Sequence, residues 1–311
     1  MKAIRIHGRG GPDHLVYEDV PQPHPGPGEV LVRVAATGVF VNELRWNETY
    51  VTPAGSERFL PIPGRDLSGV VVEVGPSVST IIKGAEVYAM LGYSRDGAEA
   101  EYTIALPGEL APKPRTLDHV QAAVVPLSAL TAWQGLFEHA SLVAGQTILI
   151  HGGAGGVGVF VVQLAHWAGA HVIATASSHN GDFLRELGVD EFIDYTTTRF
   201  EDAVHDVDFV FDTVGGDTQQ RSWQVIKSGG VLVSVVSPPP PADATEGHGV
   251  GFVWFIVEPN REQLVQIGAL IDAGKLRPII DAVFPLAQAR QAYEQAAKGH
   301  TRGKIVLRVA D

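Results

Sequence analysis

Three glycines carry the first chemical suggestion. In Ile148-Leu-Ile-His-Gly-Gly-Ala-Gly-Gly-Val-Gly158 the spacing Gly153-x-Gly155-x-x-Gly158 follows a β-branched run and opens an apolar stretch, Val157–Gly169. Strand, glycine turn and helix in that order place free main-chain N–H groups at a helix mouth, where they can close on a pyrophosphate. Gly153 would turn the chain sharply off the strand, Gly155 would let the backbone approach the phosphates, and Gly158 would let helix and strand pack closely. A structural turn can use the same letters, so the context must decide. The end of the next strand, His171–Thr175, leads into Thr175-Ala-Ser-Ser-His-Asn180, which lacks the Asp or Glu that commonly binds a ribose 2′-hydroxyl in NAD sites. Ser177, Ser178 and Asn180 are neutral donors suited to a 2′-phosphate that a carboxylate would repel. The turn therefore favours NADPH, although Ser and Asn also cap helices.

The elements around this motif supply the context. Lys2–Ile6, Val30–Ala36, Ser68–Val74 and Glu86–Ala89 are β-branched runs punctuated by Pro and Gly, which predicts an antiparallel barrel or half-open sheet. From about residue 120 the rhythm changes. A helix is expected over Leu117–His139, then strand Thr147–His151, helix Val157–Gly169, strand His171–Thr175, helix Asp182–Gly188 and strand Glu191–Tyr195. The alternation continues through a short helix near Phe200–His205, strand Asp208–Asp212, helix Thr218–Lys227 and strand Gly230–Val236. This is the pattern of an α/β, doubly wound parallel sheet. Ser237-Pro-Pro-Pro-Pro-Ala-Asp reads as a stiff surface connection. The tail predicts helix Arg261–Gly274, strand Ile279–Phe284, helix Leu286–Lys298 and strand Lys304–Val309.

Composition narrows the function. The 311 residues carry 23 Lys and Arg against 35 Asp and Glu, a net charge of −12, and no basic patch is evident. Nucleic acid and anionic membranes are therefore poor partners. There is no cysteine, which excludes disulfides, thiolate metal sites and thiol nucleophiles. The twelve histidines show no metal spacing. Met1–His7 is too short and polar for a signal peptide, and no apolar run approaches membrane-spanning length, so a soluble, cytoplasmic protein is expected.

Several motifs together resemble the medium-chain dehydrogenase/reductase superfamily, and within it the zinc-free quinone oxidoreductase (zeta-crystallin-like) branch. They are Pro25-Gly-Pro-Gly-Glu-Val-Leu-Val-Arg-Val34, Ile62-Pro-Gly-Arg-Asp-Leu-Ser-Gly-Val70, Gly97-Ala-Glu-Ala-Glu-Tyr102, Leu130-Thr-Ala132, the glycine turn, Asp212-Thr-Val-Gly-Gly216 and Gly299-His-Thr-Arg-Gly-Lys-Ile-Val306. The resemblance runs end to end. It implies a Rossmann doubly wound domain and a GroES-like, β-barrel-type catalytic domain split between the N-terminus and the C-terminal tail. The expected boundaries are 1–122, 123–270 and 271–311. It further implies a homodimer acting on a small-molecule substrate. By the family pattern Thr131 would contact the nicotinamide-ribose end, and Gly155, Gly156 and Val157 the pyrophosphate. Ser177, Ser178 and Tyr195 would lie near the adenosine phosphate, Thr213, Val214 and Gly215 along the cofactor, and Arg302 or Lys304 would return to the same phosphate.

Where zinc-dependent members place their first two catalytic-metal ligands, this sequence has Phe40 and Arg65, neither able to ligate zinc. Hydride transfer to a quinone or α,β-unsaturated carbonyl is therefore expected. Zinc-independent carbonyl or alcohol chemistry and a non-catalytic NADPH-binding sensor or structural role remain open. Tyr50 falls where relatives place a tyrosine facing the substrate, and could donate to a carbonyl or protonate an enolate. A packed loop tyrosine is the plainer alternative. Arg65 could hold a substrate oxygen or pair with Asp66 or Glu43. Asn42 could donate to a carbonyl or serve a turn. Trp254 and Phe255 could wall the pocket or belong to the core.

Overall fold

The computed structural model describes residues 1–52, 54–236 and 249–310. The proline stretch Ser237–Asp243 falls outside them.

In chain order the strands are β1 (Lys2–Ile6), β2 (Leu15–Asp19), β3 (Val30–Gly38), β4 (Asp66–Val74), β5 (Glu86–Met90), β6 (Tyr102–Ala105), β7 (Ala111–Pro112), β8 (Thr147–His151), β9 (His171–Ala176), β10 (Glu191–Asp194), β11 (Val207–Asp212), β12 (Ile226–Ser234), β13 (Gly251–Trp254), β14 (Ile280–Pro285) and β15 (Lys304–Arg308). The principal helices are α1 (His119–Ala122), α2 (Pro126–Trp133), α3 (Gly158–Trp167), α4 (Gly181–Glu186), α5 (Phe200–Ala203), α6 (Gly216–Ser222), α7 (Arg261–Asp272) and α8 (Ala289–Ala297). Packing divides the chain into Met1–Leu130 with Glu258–Asp311, and Thr131–Val257. The divisions fall later than residue 122 and earlier than residue 270, so α7 groups with the first unit.

The first unit is built on a seven-stranded sheet in the order β14-β15-β3-β4-β5-β7, with β6 also on β3. One edge of β3 is shared: Val30–Arg33 pair with β6, and Ala36–Gly38 pair with β15. The C-terminal strand thus completes a sheet begun by the N-terminal third. Apolar side chains from β3, β4 and β5 meet in one core, including Val32, Val34, Leu67, Val71 and Val87. A second core joins β1 and β15 to α8 through Ile4, Ile305, Leu307 and Tyr293.

The second unit holds a six-stranded, wholly parallel sheet ordered β10-β9-β8-β11-β12-β13. Numbered from β8, this is the doubly wound order 3-2-1-4-5-6, with the chain reversing direction across the sheet at β8. Strands buried on both faces read as continuous apolar runs, as in Phe209–Phe211 of β11. Strand β13 lies within a stretch the sequence left unread.

Two expected helices are shorter than their patterns. Leu117–His139 is not one helix. It breaks before Pro126, which lacks an N–H and disfavours helical backbone in the residue ahead of it. It then continues as α2 and widens into a π-turn over Gln134–His139. At Gly135 a Cβ would lie 2.5 Å from the Phe211 ring, so the chain needs a bare backbone there. Helix α6 ends at Ser222 instead of Lys227, because Trp223, Val225 and Ile226 are drawn into the apolar core beside β11.

Candidate functional site

Parallel pairing brings the C-terminal ends of the second unit's strands to one edge. His151 of β8 is opposite Thr175 of β9 and Asp212 of β11, and Asp194 of β10 is opposite Ala176. The loops leaving these strands are therefore neighbours, and they contain most of the cofactor-binding candidates.

The turn after β8 reverses sharply at Gly152, with φ of +74°. This corrects the role given to Gly153, whose constraint is packing: a Cβ there would meet the Ala174 Cβ at 3.0 Å. At Gly158 a Cβ would sit 2.1 Å from the Gly152 carbonyl oxygen, so α3 can approach the turn only without a side chain. Gly155 is different. Its nearest obstruction is the same carbonyl at 3.4 Å, and the position is only partly covered. The amides of Gly156, Val157 and Gly158 have no acceptor among the described residues, whereas Val159 donates to Gly155. A helix mouth with free N–H groups and a bare approach fits a diphosphate.

The loop after β11 is tied down by Asp212, which is fully buried. Its carboxylate accepts from the amides of Val214 (2.9 Å) and Gly215 (2.8 Å) and from Gln219 and Ser234. Thr213 donates to the His151 carbonyl at 2.7 Å and sits against Gly152. Thr213 and Gly215 thus shape this edge with their donors already engaged, and Val214 projects an exposed apolar side chain. Asp212 is a positioning residue that sequence reasoning passed over, although it begins a quoted motif. His151 is held between Thr175 and Ser222 hydroxyls, and burial lowers its pKa to about 4.

In the turn after β9, Ser177 is partly covered and Ser178 exposed. Asn180 is buried with its side-chain amide directed to Ser177 (3.2 Å) and His179 (3.2 Å), which corrects its assignment as a phosphate donor. His179 itself is exposed and had not been singled out. The signal was available: it is the one residue of this turn able to carry a positive charge. Tyr195 follows β10, its amide bonded to the Ala176 carbonyl at 3.3 Å, and its exposed ring lines a recess of about 550 Å³ with Thr196–Thr198. Thr131 is buried in α2.

Most of the remaining candidates lie in the first unit. Arg65 and Glu43 are both fully buried and pair at 2.8 Å. Arg65 also donates from Nη1 to the carbonyls of Gly92 (2.9 Å) and Arg95 (3.0 Å), an internal tie, while its Nη2 is buried without a hydrogen-bond partner among the described residues. Glu43 is the partner that makes Arg65 tolerable in this interior. Tyr50 is also corrected: its hydroxyl donates to the Leu44 carbonyl at 2.6 Å, and the ring is buried among apolar neighbours. Lys304 is buried against Asp66, whose other oxygen accepts from the Leu127 amide at 2.7 Å, so this lysine does not return to a cofactor phosphate. Arg302 has its amide on Asp281. Asn42 is exposed in a short 3-10 turn, Val41–Arg45. Trp254 donates to the Val236 carbonyl, and Phe255 packs on His139 within the second unit's interior.

Beside the Arg65–Glu43 pair lie two features the sequence did not disclose. Phe40, Trp46 and Tyr93 form an aromatic run, with ring centroids 5.0 and 5.6 Å apart, and Arg65 and Lys304 lie over its ends. Glu99 is fully buried, accepts from the Tyr293 hydroxyl at 2.6 Å, and has its pKa pushed up to about 8 chiefly by burial. Among the described residues no group of three or more His, Cys, Asp or Glu could hold a metal ion. The residues present at the expected zinc position, Phe40 and the engaged Arg65, do not fit that ion.

A family model described as "Alcohol dehydrogenase GroES-like domain" matches residues 26–115, and one described as "Zinc-binding dehydrogenase" matches residues 187–307. The chain is 38% identical to "Probable zinc-binding oxidoreductase, mitochondrial" of Arthroderma benhamiae, over 95% of this chain and 92% of that one. It is 36% identical to "NADPH-dependent alkenal/one oxidoreductase, chloroplastic" of Arabidopsis thaliana, over 99% and 79% respectively. A solved quinone oxidoreductase from Coxiella burnetii superposes with a TM-score of 0.90 at 33% identity, covering 99% of both chains. Some of these names mention zinc, but the ligand positions here do not. On the sheet order, the glycine turn and this full-length similarity, the chain belongs to the medium-chain dehydrogenase/reductase superfamily, in its quinone oxidoreductase branch.

Proposed function

We propose that this protein uses NADPH to reduce quinones or α,β-unsaturated carbonyls without a metal. The observation that carries the reading is the mouth of α3, where amides of Gly156, Val157 and Gly158 without an acceptor among the described residues adjoin a turn bearing hydroxyls and an imidazole in place of a carboxylate. Those amides would hold the diphosphate, and Ser177, Ser178 and His179 would receive the 2′-phosphate. Asp212 keeps the neighbouring loop in place, and Val214 offers an apolar surface. When bound, the cofactor supplies a hydride.

Oxidation of an alcohol needs its alkoxide stabilised, commonly by a Lewis-acidic metal. A conjugated C=C or quinone is already polarised, so binding and orientation suffice. The aromatic run Phe40–Trp46–Tyr93 suits flat, conjugated acceptors. The names of the Arabidopsis and Coxiella proteins favour the same substrate class. A cytoplasmic homodimer belongs to this reading.

The test is NADPH oxidation, followed in absorbance, with a panel of quinones and enones before and after chelation. Turnover that survives chelation is expected. Inertness across the panel, or activity lost on chelation and restored by zinc, overturns the proposal. Turnover of saturated ketones would select the carbonyl reading, and tight NADPH binding without any turnover would select the sensor reading.

A further inference from the structure

We propose that the first unit carries a second anion site, a recess that binds a small organic oxyanion between Arg33 and Arg308. The recess has a volume of about 380 Å³, within the size range of small-molecule sites. Arg33 comes from β3 and Arg308 from the end of β15, strands joined by the pairing of Arg308 with Ala36 and by the bonds of Val309 and Ala310 to the Ala35 carbonyl. Both arginines are exposed, and neither has a carboxylate or any other side-chain partner among the described residues.

The chain's net charge is −12, and nine of its sixteen arginines lie within 4.0 Å of a carboxylate, which these two do not. Two unpaired guanidinium groups facing one recess form a local positive site in an otherwise acidic molecule. Each guanidinium offers a planar fork of donors matched to a carboxylate or phosphate. The other groups there do not compete for them. Asp118 accepts the Gln121 amide at 2.7 Å as a helix cap, and His119 is bonded to Ser68 at 2.7 Å. Between the arginines the lining is apolar, from Ala35, Val70, Val120 and Ala310. A ligand with a charged head and a compact apolar body matches both parts.

Isothermal titration of the full chain, saturated with NADPH and at low salt, with phenyl phosphate, inorganic phosphate and phenylacetate tests the assignment. Saturable one-to-one binding is expected, with phenyl phosphate tighter than inorganic phosphate because of the apolar lining. The phenylacetate arm separates carboxylate from phosphate ligands, the tighter of the two organic anions identifying the head group. Arg33→Gln/Arg308→Gln should weaken binding by about tenfold or more, the scale of a lost charge-assisted contact. Lys83→Gln, which removes a lysine outside the recess, should leave it unchanged. Unchanged thermal denaturation and NADPH affinity in the double variant would show that the fold is intact. Absence of saturable binding, equal affinity in the double variant, or no advantage of the phenyl compounds over inorganic phosphate overturns the proposal.

Discussion

At the scale of single residues, the glycine turn separates two constraints. Gly158→Ala drives a methyl into the Gly152 carbonyl and should destabilise the chain by roughly 1–3 kcal/mol in denaturant titrations, as overpacking does. Gly155→Ala meets no contact shorter than 3.4 Å. It should melt almost as the parent does, yet bind NADPH about tenfold or more weakly, because the methyl stands where the phosphates approach. A matched loss of stability and affinity in both variants would contradict this division. Glu99 offers a further test. Its pKa is raised from 4.5 to about 8, so the folded chain retains a proton that the unfolded chain releases. Its stabilising contribution is complete below the lower value and is lost as pH rises through the upper one. His151 acts in the opposite sense, between its ordinary 6.5 and about 4 as pH falls. From pH 6.5 to 8 only Glu99 of this pair sets a slope, on the order of 1 kcal/mol per pH unit. Glu99→Gln should flatten urea midpoints across that range, and an unchanged slope would show that Glu99 is ionised in the fold. Neither Glu99 nor the commitment of Lys304 to an internal partner was legible in the sequence. Burial and pairing across distant segments, such as Tyr293 with Glu99, leave no local pattern.

At the scale of elements, legibility followed periodicity. Strand β8 and helix α3 are largely apolar and bounded by Gly, and their positions, like those of β9 to β11, were readable within a residue or two. Short elements stabilised by neighbours were not. Strands β2, β6 and β7 exist because β1, β3 and β5 offer them edges, and β13 extends a sheet whose register only the folded chain supplies. The turn after β9 was correctly located, but its inventory was not: Asn180 faces inward while His179 faces solvent. Under the proposed function, cofactor preference is set at this turn. Ser177→Asp would place a carboxylate at the end of β9 and should lower the preference for NADPH over NADH by about tenfold or more, by charge repulsion with the 2′-phosphate. Comparison of kcat/KM for the two cofactors reads it directly. An unaltered ratio would place the 2′-phosphate elsewhere.

At the scale of the molecule, the sequence indicated two units and a returning tail, and the sheet of the first unit contains that tail as β14 and β15. The domain limits were less legible because α2 continues through the boundary at residue 130, with no change of composition to mark it. The chain's acidity sets a broader condition. With a net charge of −12, a polyphosphorylated cofactor must be held by directed local donors against an unfavourable overall field. Calorimetric titration of the full chain with NADPH and with NADH measures this most directly. Saturable one-to-one binding of NADPH, tighter than that of NADH and weakened by Gly155→Ala, is expected. No saturable binding of either dinucleotide would contradict it.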